Sequence, residues 1–234
     1  GATVVSVSEV AENCETVTAA IQAEGHSSSS HVADCTSYEE CQKLAKAVME
    51  QYGKVDVMIN AGIHSALPMG FAKMTPEKWH ESLNLNLHAH FNLIHAFLPI
   101  FQEQGRGNIL HFTTLASNSS LGHGKQRHGY CAGKAAAAVL TRRIGIENCR
   151  NGVRGNVVSI GYASGPLVER AVTRAGADLS KVNAGRDENV PRGKQVTVEE
   201  VANVAAFLAS DASSGINGAE IFVDGGGHNV GYGP

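Results

Sequence analysis

The sequence predicts an α/β fold in which helices cover both faces of a parallel sheet. Three observations carry that expectation. Short runs rich in valine and isoleucine alternate with amphipathic helical patterns along the chain. Most of these runs are apolar on both faces, as strands are when a sheet is covered on both sides. No repeat, low-complexity tract or linker breaks the rhythm, so residues 1–234 read as a single domain.

The opening GATVVSV is a β-branched run and reads as a strand. Ser8 can cap a helix reaching about Glu24, with Val17 and Ile21 on its buried face and Gly25 as its stop. His31 to Ala33 is a second short strand. Ser37 to Glu40 has the spacing of a capping box and opens a helix with Leu44, Ala47 and Val48 on one side. Val55 to Ile59 is an almost wholly apolar strand that ends at Asn60-Ala61-Gly62. Thr75-Pro76 supplies a cap and a first-turn proline for a long helix. Asn108 to Thr114 is a strand ending just before Ser117, and an alanine-rich helix follows and stops at Gly152. Val153 to Ser159 is the next strand. Thr197 to Glu200 caps a helix reaching Leu208, and Ala219 to Val223 is the last strand. The irregular piece is 161–195, a lid-like insertion with a helical stretch from Leu167 to Ala177. It follows the C-terminal end of a strand, where doubly wound sheets bind ligands.

Composition excludes several classes of function. A net charge of −3 and a pI near 6.4 argue against a nucleic-acid or anionic-membrane surface. No apolar run approaches the ~20 residues that span a bilayer, and GATVVSVSE has no basic leader. The five cysteines are scattered without a CxxC pair, so reduced thiols and a cytoplasmic location are expected. Among eleven histidines none has metal-ligand spacing, and no zinc site is expected. His88, His90 and His95 read as packing or surface histidines on the long helix.

The chemistry-bearing stretch is Ser117 to Lys134. Tyr130 and Lys134 are four residues apart, which places phenol and ammonium on one helical face. A free phenol with a pKa of about 10 is a poor acid or base near neutrality, and a neighbouring ammonium would lower it. Ser117, returning from the preceding strand, can hydrogen-bond a substrate oxygen beside the phenol. Such a trio suits proton transfer at a carbon–oxygen bond.

Taken in order, these residues resemble the short-chain dehydrogenase/reductase family along essentially the whole chain. Asn60-Ala61-Gly62 resembles the family's NNAG element, and Asn86 in LNLNLHAHF falls where the family has its catalytic asparagine. Ser117, Tyr130 and Lys134 fall on the catalytic serine, tyrosine and lysine. Asp34 matches the acidic residue that contacts the adenine, and Phe222 to Gly226 resembles the closing strand. The resemblance implies a three-layer, Rossmann-like doubly wound sheet and an NAD(P)-dependent oxidoreductase interconverting an alcohol and a ketone or aldehyde. Tyr130 would be its acid/base, Ser117 would hold the substrate oxygen, and Lys134 would bind the nicotinamide ribose. Asn86 would hold a water of a proton relay, and the enzyme would be a homodimer or homotetramer through its long helices. Ser8, Glu9, Asp34, Asn60, Ala61, Gly62, Gly161 and Ser164 would contact the cofactor together with Tyr130 and Lys134. The alternative is a catalytically impaired scaffold or oligomerisation partner with the same fold.

Three departures qualify this expectation. The family's TGxxxGxG turn, which cradles the cofactor pyrophosphate at a helix N-terminus, does not occur in the sequence. The chain is therefore expected to lack the family's first strand and first helix, a half-unit of ~30 residues. That strand is central in the implied order, so without it the first two strands should separate from the rest. Gly122-His-Gly124, between Ser117 and Tyr130, reads as a turn, with His123 beside the substrate. The NAG element is one residue short, and Ile160-Gly161 stands where the family has Pro-Gly, with Ser164 as substitute for a threonine that follows. An acidic Glu9 and no Lys or Arg before Lys43 lean the cofactor choice toward NAD over NADP.

Overall fold

A computed structural model describes residues 1–62, 69–118 and 127–229. Gly122 to Gly124, with His123, lies outside the described residues. In order, the elements are β1 (Val4–Ser8), α1 (Ala11–Ala23), β2 (Ser28–Val32), α2 (Tyr38–Tyr52) and β3 (Val57–Asn60). Next come α3 (Pro76–Leu83), a π-helical turn (Asn84–His88), α4 (Ala89–Gln104), β4 (Gly107–Thr114) and α5 (His128–Glu147). The chain continues with β5 (Val153–Ile160), α6 (Pro166–Arg174), α7 (Leu179–Asp187), α8 (Val198–Ala209) and β6 (Glu220–Val223).

Every strand pairing is parallel. Alternation along β4 explains the three layers, because successive side chains in a strand point to opposite faces. Ile109 packs with Leu44, Val48, Ile94, Phe97 and Phe101 of α2 and α4. Its neighbour Leu110 packs with Val158 and Leu208 against α8. Two helical layers thus sandwich one sheet.

Three of the four expected caps form; Ser8 does not cap α1, which begins after Val10 with no side-chain cap, and the Ser8 hydroxyl accepts from Val10 N instead. The Thr197 hydroxyl accepts from Glu200 N, and the Glu200 carboxylate accepts from Thr197 N, closing the capping box of α8. At α2 only half of the expected box forms: Ser37 Oγ accepts from Glu40 N, but the Glu40 carboxylate turns back to Asp34 N at 2.6 Å. Thr75 caps α3, with Pro76 as its first residue. The expected single helix from Thr75 is interrupted by the π turn at Asn84–His88. The second strand runs from Ser28, earlier than its apolar residues suggest, because serines 28 to 30 pair in register with Val4 to Ser6. The insertion contains a second helix, α7, which its polar sequence does not announce.

Among the described residues the strands form two sheets, β1–β2 and β3–β4–β5–β6, the separation expected of the first two strands. A cleft of about 990 Å³ lies between them, lined by Val5, Val7, Val57 and Ile59 among others. Val17 of α1 also lines this cleft and is 49% exposed, not buried as its helical position suggests; the buried positions of α1 are Cys14 and Thr18. The β1–β2 unit is anchored from the side. Val5, Ala33 and Cys35 join the core around α2, and Asn92 of α4 donates to the carbonyls of Cys35 and Thr36 at 3.1 and 3.0 Å. A buried polar backbone group without a partner costs ~1–3 kcal/mol, so the edges of β1 and β3 facing the cleft are stable only while hydrated.

Native-state hydrogen exchange should therefore show β1 and β2 exchanging at least ~10-fold faster than β4 and β5, since only the latter pair on both sides within a covered sheet. Equal protection across both sheets would contradict the two-sheet arrangement.

Candidate active site

The site is built around the C-terminal end of β4. Thr113 and Thr114 end the strand, and a 3-10 turn, Leu115–Ser117, follows it. Ser117 Oγ lies 3.1 Å from Thr113 Oγ1, which in turn donates to the Lys134 carbonyl at 3.4 Å. The serine is thus tied to α5 through its threonine neighbour. Tyr130 and Lys134 are both buried, at 8% and 2% exposure, on one face of α5.

Glycines bring Asn86 to that face. A Cβ on Gly133 would stand 2.9 Å from the Asn86 Cβ, and one on Gly129 would stand 2.7 Å from the Ser82 Cβ. Gly129 and Gly133 are four apart on α5, as Ser82 and Asn86 are on the opposing segment, so two small ridges meet without side-chain bulk between them. Asn86 is 3% exposed, sits within the π turn, and donates to the Ser82 carbonyl at 2.9 Å. The helix shifts register at this asparagine, and π turns of this kind recur at functional sites.

The electrostatics differ from the simplest reading of Tyr-x-x-x-Lys. Burial pushes the Tyr130 phenol above its ordinary range, while a hydrogen bond with Thr114 and the Arg127 charge pull it down. Lys134 is not among these influences. Its Nζ donates to the carbonyls of Gly62 at 2.6 Å and Phe112 at 3.0 Å, and burial lowers its pKa to about 8. Spacing alone put the ammonium beside the phenol; the fold commits it to two backbone oxygens instead, because β3 and β4 end directly above it.

The remaining expected residues divide by location. Ser8, Glu9, Asp34, Asn60, Ala61 and Gly62 all line the inter-sheet cleft. Several of them also serve the backbone. Ser8 Oγ accepts from Val10 N at 3.1 Å, and Asp34 Oδ1 accepts from Thr36 N and Oγ1 at 2.8 and 2.7 Å. Asn60 Oδ1 accepts from Gly62 N at 3.0 Å. Gly161 and Ser164 are not among the cleft residues. Gly161 meets β6, where a Cβ would fall 2.7 Å from the Asp224 Cβ, and Ser164 N donates to the Val196 carbonyl at 2.9 Å, closing the base of the insertion. Gly62 alone joins the two regions: it lines the cleft and carries the carbonyl that holds Lys134.

Thr114, Gly129, Gly133 and His90 escaped the sequence reading. Thr114 had a signal, since it ends the strand that delivers Ser117. The two glycines had only a four-residue spacing, which becomes meaningful once the facing segment is known. Among the described residues no group of histidine, cysteine or carboxylate side chains is placed to hold a metal ion, and none of the five cysteines is in a disulfide.

A sequence profile described as enoyl-(acyl carrier protein) reductase matches residues 1–228. The chain is 30% identical over 229 residues to the 3-oxoacyl-[acyl-carrier-protein] reductase FabG of Thermotoga maritima, covering 97% of this chain and 87% of that protein. It is 29% identical over 202 residues to the D-beta-hydroxybutyrate dehydrogenase of Rhizobium meliloti, covering 84% of this chain and 76% of that one. A gluconate 5-dehydrogenase from Burkholderia cenocepacia, solved with NADP and tartrate, superposes with a TM-score of 0.85 at 26% identity, over 98% of this chain and 87% of the other.

Replacing Gly133 by alanine should destabilise the protein by about 1–3 kcal/mol in urea denaturation, because the new methyl overlaps the Asn86 Cβ at the seam between α5 and the π turn. An unchanged midpoint would show that this contact relaxes freely.

Proposed function

The chain belongs to the short-chain dehydrogenase/reductase family, and we propose that it interconverts an alcohol and a ketone or aldehyde with Tyr130 as the acid/base. Members of this family are NAD(P)-dependent oxidoreductases, and the relatives act on hydroxy and oxo compounds by their names. The supporting observation is that Ser117, Asn86, Tyr130 and Lys134, scattered over 49 positions of sequence, gather at the end of β4 and along α5.

When bound, the nicotinamide cofactor supplies or takes the hydride. In reduction, Tyr130 gives its phenolic proton to the substrate oxygen as Ser117 Oγ–H hydrogen-bonds the same oxygen. In oxidation both steps reverse, and the phenolate takes the hydroxyl proton. Lys134 would hold the nicotinamide ribose while keeping its two backbone acceptors, and Asn86 would hold a water between the lysine and solvent. The side chains along the cleft suit the sugar and base portions of a nucleotide: carboxylates at Glu9 and Asp34 and apolar Val5 and Val7. The sequence offers no glycine-rich turn for the pyrophosphate, and none of the steps above depends on one.

Glu9 favours free ribose hydroxyls, so NAD is the proposed cofactor, with an expected preference over NADP of ~10-fold or more from like-charge repulsion of a 2′-phosphate. The competing reading is a scaffold that keeps the fold without catalysis; calorimetry with no saturable NAD or NADP binding would favour it. On helices α4 and α5, Phe91, Val139 and Ile146 are 46%, 50% and 52% exposed. These side chains support a homodimer or homotetramer through the long helices, and light scattering showing a monomer at micromolar concentration would count against it.

Replacing Tyr130 by phenylalanine should lower turnover by ~10²–10⁴-fold with circular dichroism unchanged; full activity in that variant would remove the assignment. Because burial raises the phenol's pKa, alcohol oxidation should accelerate as pH rises toward the alkaline range, where the phenolate forms. Carbonyl reduction needs the protonated phenol and should show no such rise.

A further inference from the structure

We propose that His90 is a positioning residue of the catalytic centre: it ties the Asn60–Gly62 turn to α5 and so fixes the carbonyl that holds the Lys134 ammonium. The inference rests on the reading of Lys134 as part of that centre. His90 lies on α4, is 1% exposed, and bonds to Asn60 of the turn on one side and to Thr141 of α5 on the other.

The direction of each hydrogen bond is determined by the groups themselves. Thr141 Oγ1 donates its one proton to the Ala137 carbonyl at 2.9 Å. It must therefore accept from His90 Nε2–H, which stands 2.7 Å away. With its proton on Nε2, the imidazole presents Nδ1 as an acceptor, and Asn60 Nδ2 donates to it at 2.9 Å. Asn60 Oδ1 then accepts from Gly62 N at 3.0 Å, and Gly62 O accepts from Lys134 Nζ at 2.6 Å. The series starts on α5 at Thr141 and returns to α5 at Lys134, two helical turns earlier. Of the natural side chains that reach between Asn60 and Thr141, the role requires one acceptor and one donor on opposite ends, and neutral imidazole has both.

A neutral ring is also what the surroundings enforce. Lys134 of α5 faces it, and the His111 ring of β4 lies against it, tilted by 30° with ring centroids 4.1 Å apart. Asn60 from β3 is uncharged. His111 is fully buried, sits opposite Asn60 in the β3–β4 register, and neither of its ring nitrogens has a hydrogen-bond partner. Protonation of either imidazole would place a second buried positive charge against the lysine.

The test is nuclear magnetic resonance of the whole protein, labelled at histidine ring nitrogens and lysine Cε, without cofactor or substrate. His90 should remain the neutral Nε2–H tautomer between about pH 5 and 9; titration in that range, or the opposite tautomer, would overturn the proposal. In His90→Val the Gly62 carbonyl is no longer fixed, the lysine loses an acceptor while still buried, and its pKa should fall by about one unit. His90→Gln, which can donate and accept across the same gap, should restore it. An unchanged or raised Lys134 pKa in His90→Val would overturn the proposal. Should that variant fail to fold, Thr141→Val removes the acceptor for Nε2–H at nearly constant shape and should move the lysine in the same direction; no movement there would also overturn it. A lysine that shifts as expected in a protein without oxidoreductase activity would leave the positioning role standing and remove the functional reading instead.

Discussion

The contact between the Lys134 ammonium and the Gly62 carbonyl fixes α5 against the end of β3, where the candidate site meets the cleft. At 2.6 Å it is a short, charge-assisted bond. It is formed by a side chain that burial has already pushed down to a pKa of about 8. A buried ammonium is tolerated only if its donors are engaged, and the ends of β3 and β4 supply two carbonyls for them. The same bond links the chemistry on α5 to the edge of the cleft where Gly62 lies. Both partners belong to the β3–β6 unit; the β1–β2 unit is held to it separately, through α2 and Asn92.

The rest of the site follows from that requirement. Lys134 must approach the strand ends closely, so α5 lies directly on β4 and β5, and the α3–π–α4 segment must lie directly on α5. Small residues allow this: Gly129 against Ser82, and Gly133 against Asn86. The π turn then rotates Asn86 inward while its amide stays bonded to Ser82. The Tyr130 phenol is left with Thr114 as its hydrogen-bond partner and with burial as the dominant influence on its proton. The position of the lysine is thus separable from the phenol's acidity, which is set by burial, Thr114, Cys131 and Arg127.

The divided sheet is a physical consequence of strand order. Among the described residues β1 and β2 pair with each other and β3 to β6 pair together. The separation was legible in advance because the strand rhythm and the resemblance gave the strand order. Its accommodation was not. Val17 has the spacing of a buried helical residue, yet faces the cleft, because burial needs a partner surface and none stands opposite it there. The first unit remains attached through α2 and through Asn92, a polar residue on a helix that reads simply as apolar.

What the sequence determined by itself was whatever depends on local periodicity and on linear order. The alternation of strands and helices, the caps at Ser37, Thr75 and Thr197, and the succession of Asn86, Ser117, Tyr130 and Lys134 are all of this kind. Asn86 illustrates the limit, since its order was visible but its π turn was not. Only the tertiary structure decided where polar atoms end up. Lys134 and Tyr130 share a helical face, but a lysine chain can reach many acceptors, and long-range packing of β3 and β4 chose Gly62 and Phe112. His90 looked like a packing histidine from its helix alone. Its donor and acceptor acquire meaning only when Asn60 and Thr141, 30 and 51 residues away, arrive on either side of the ring.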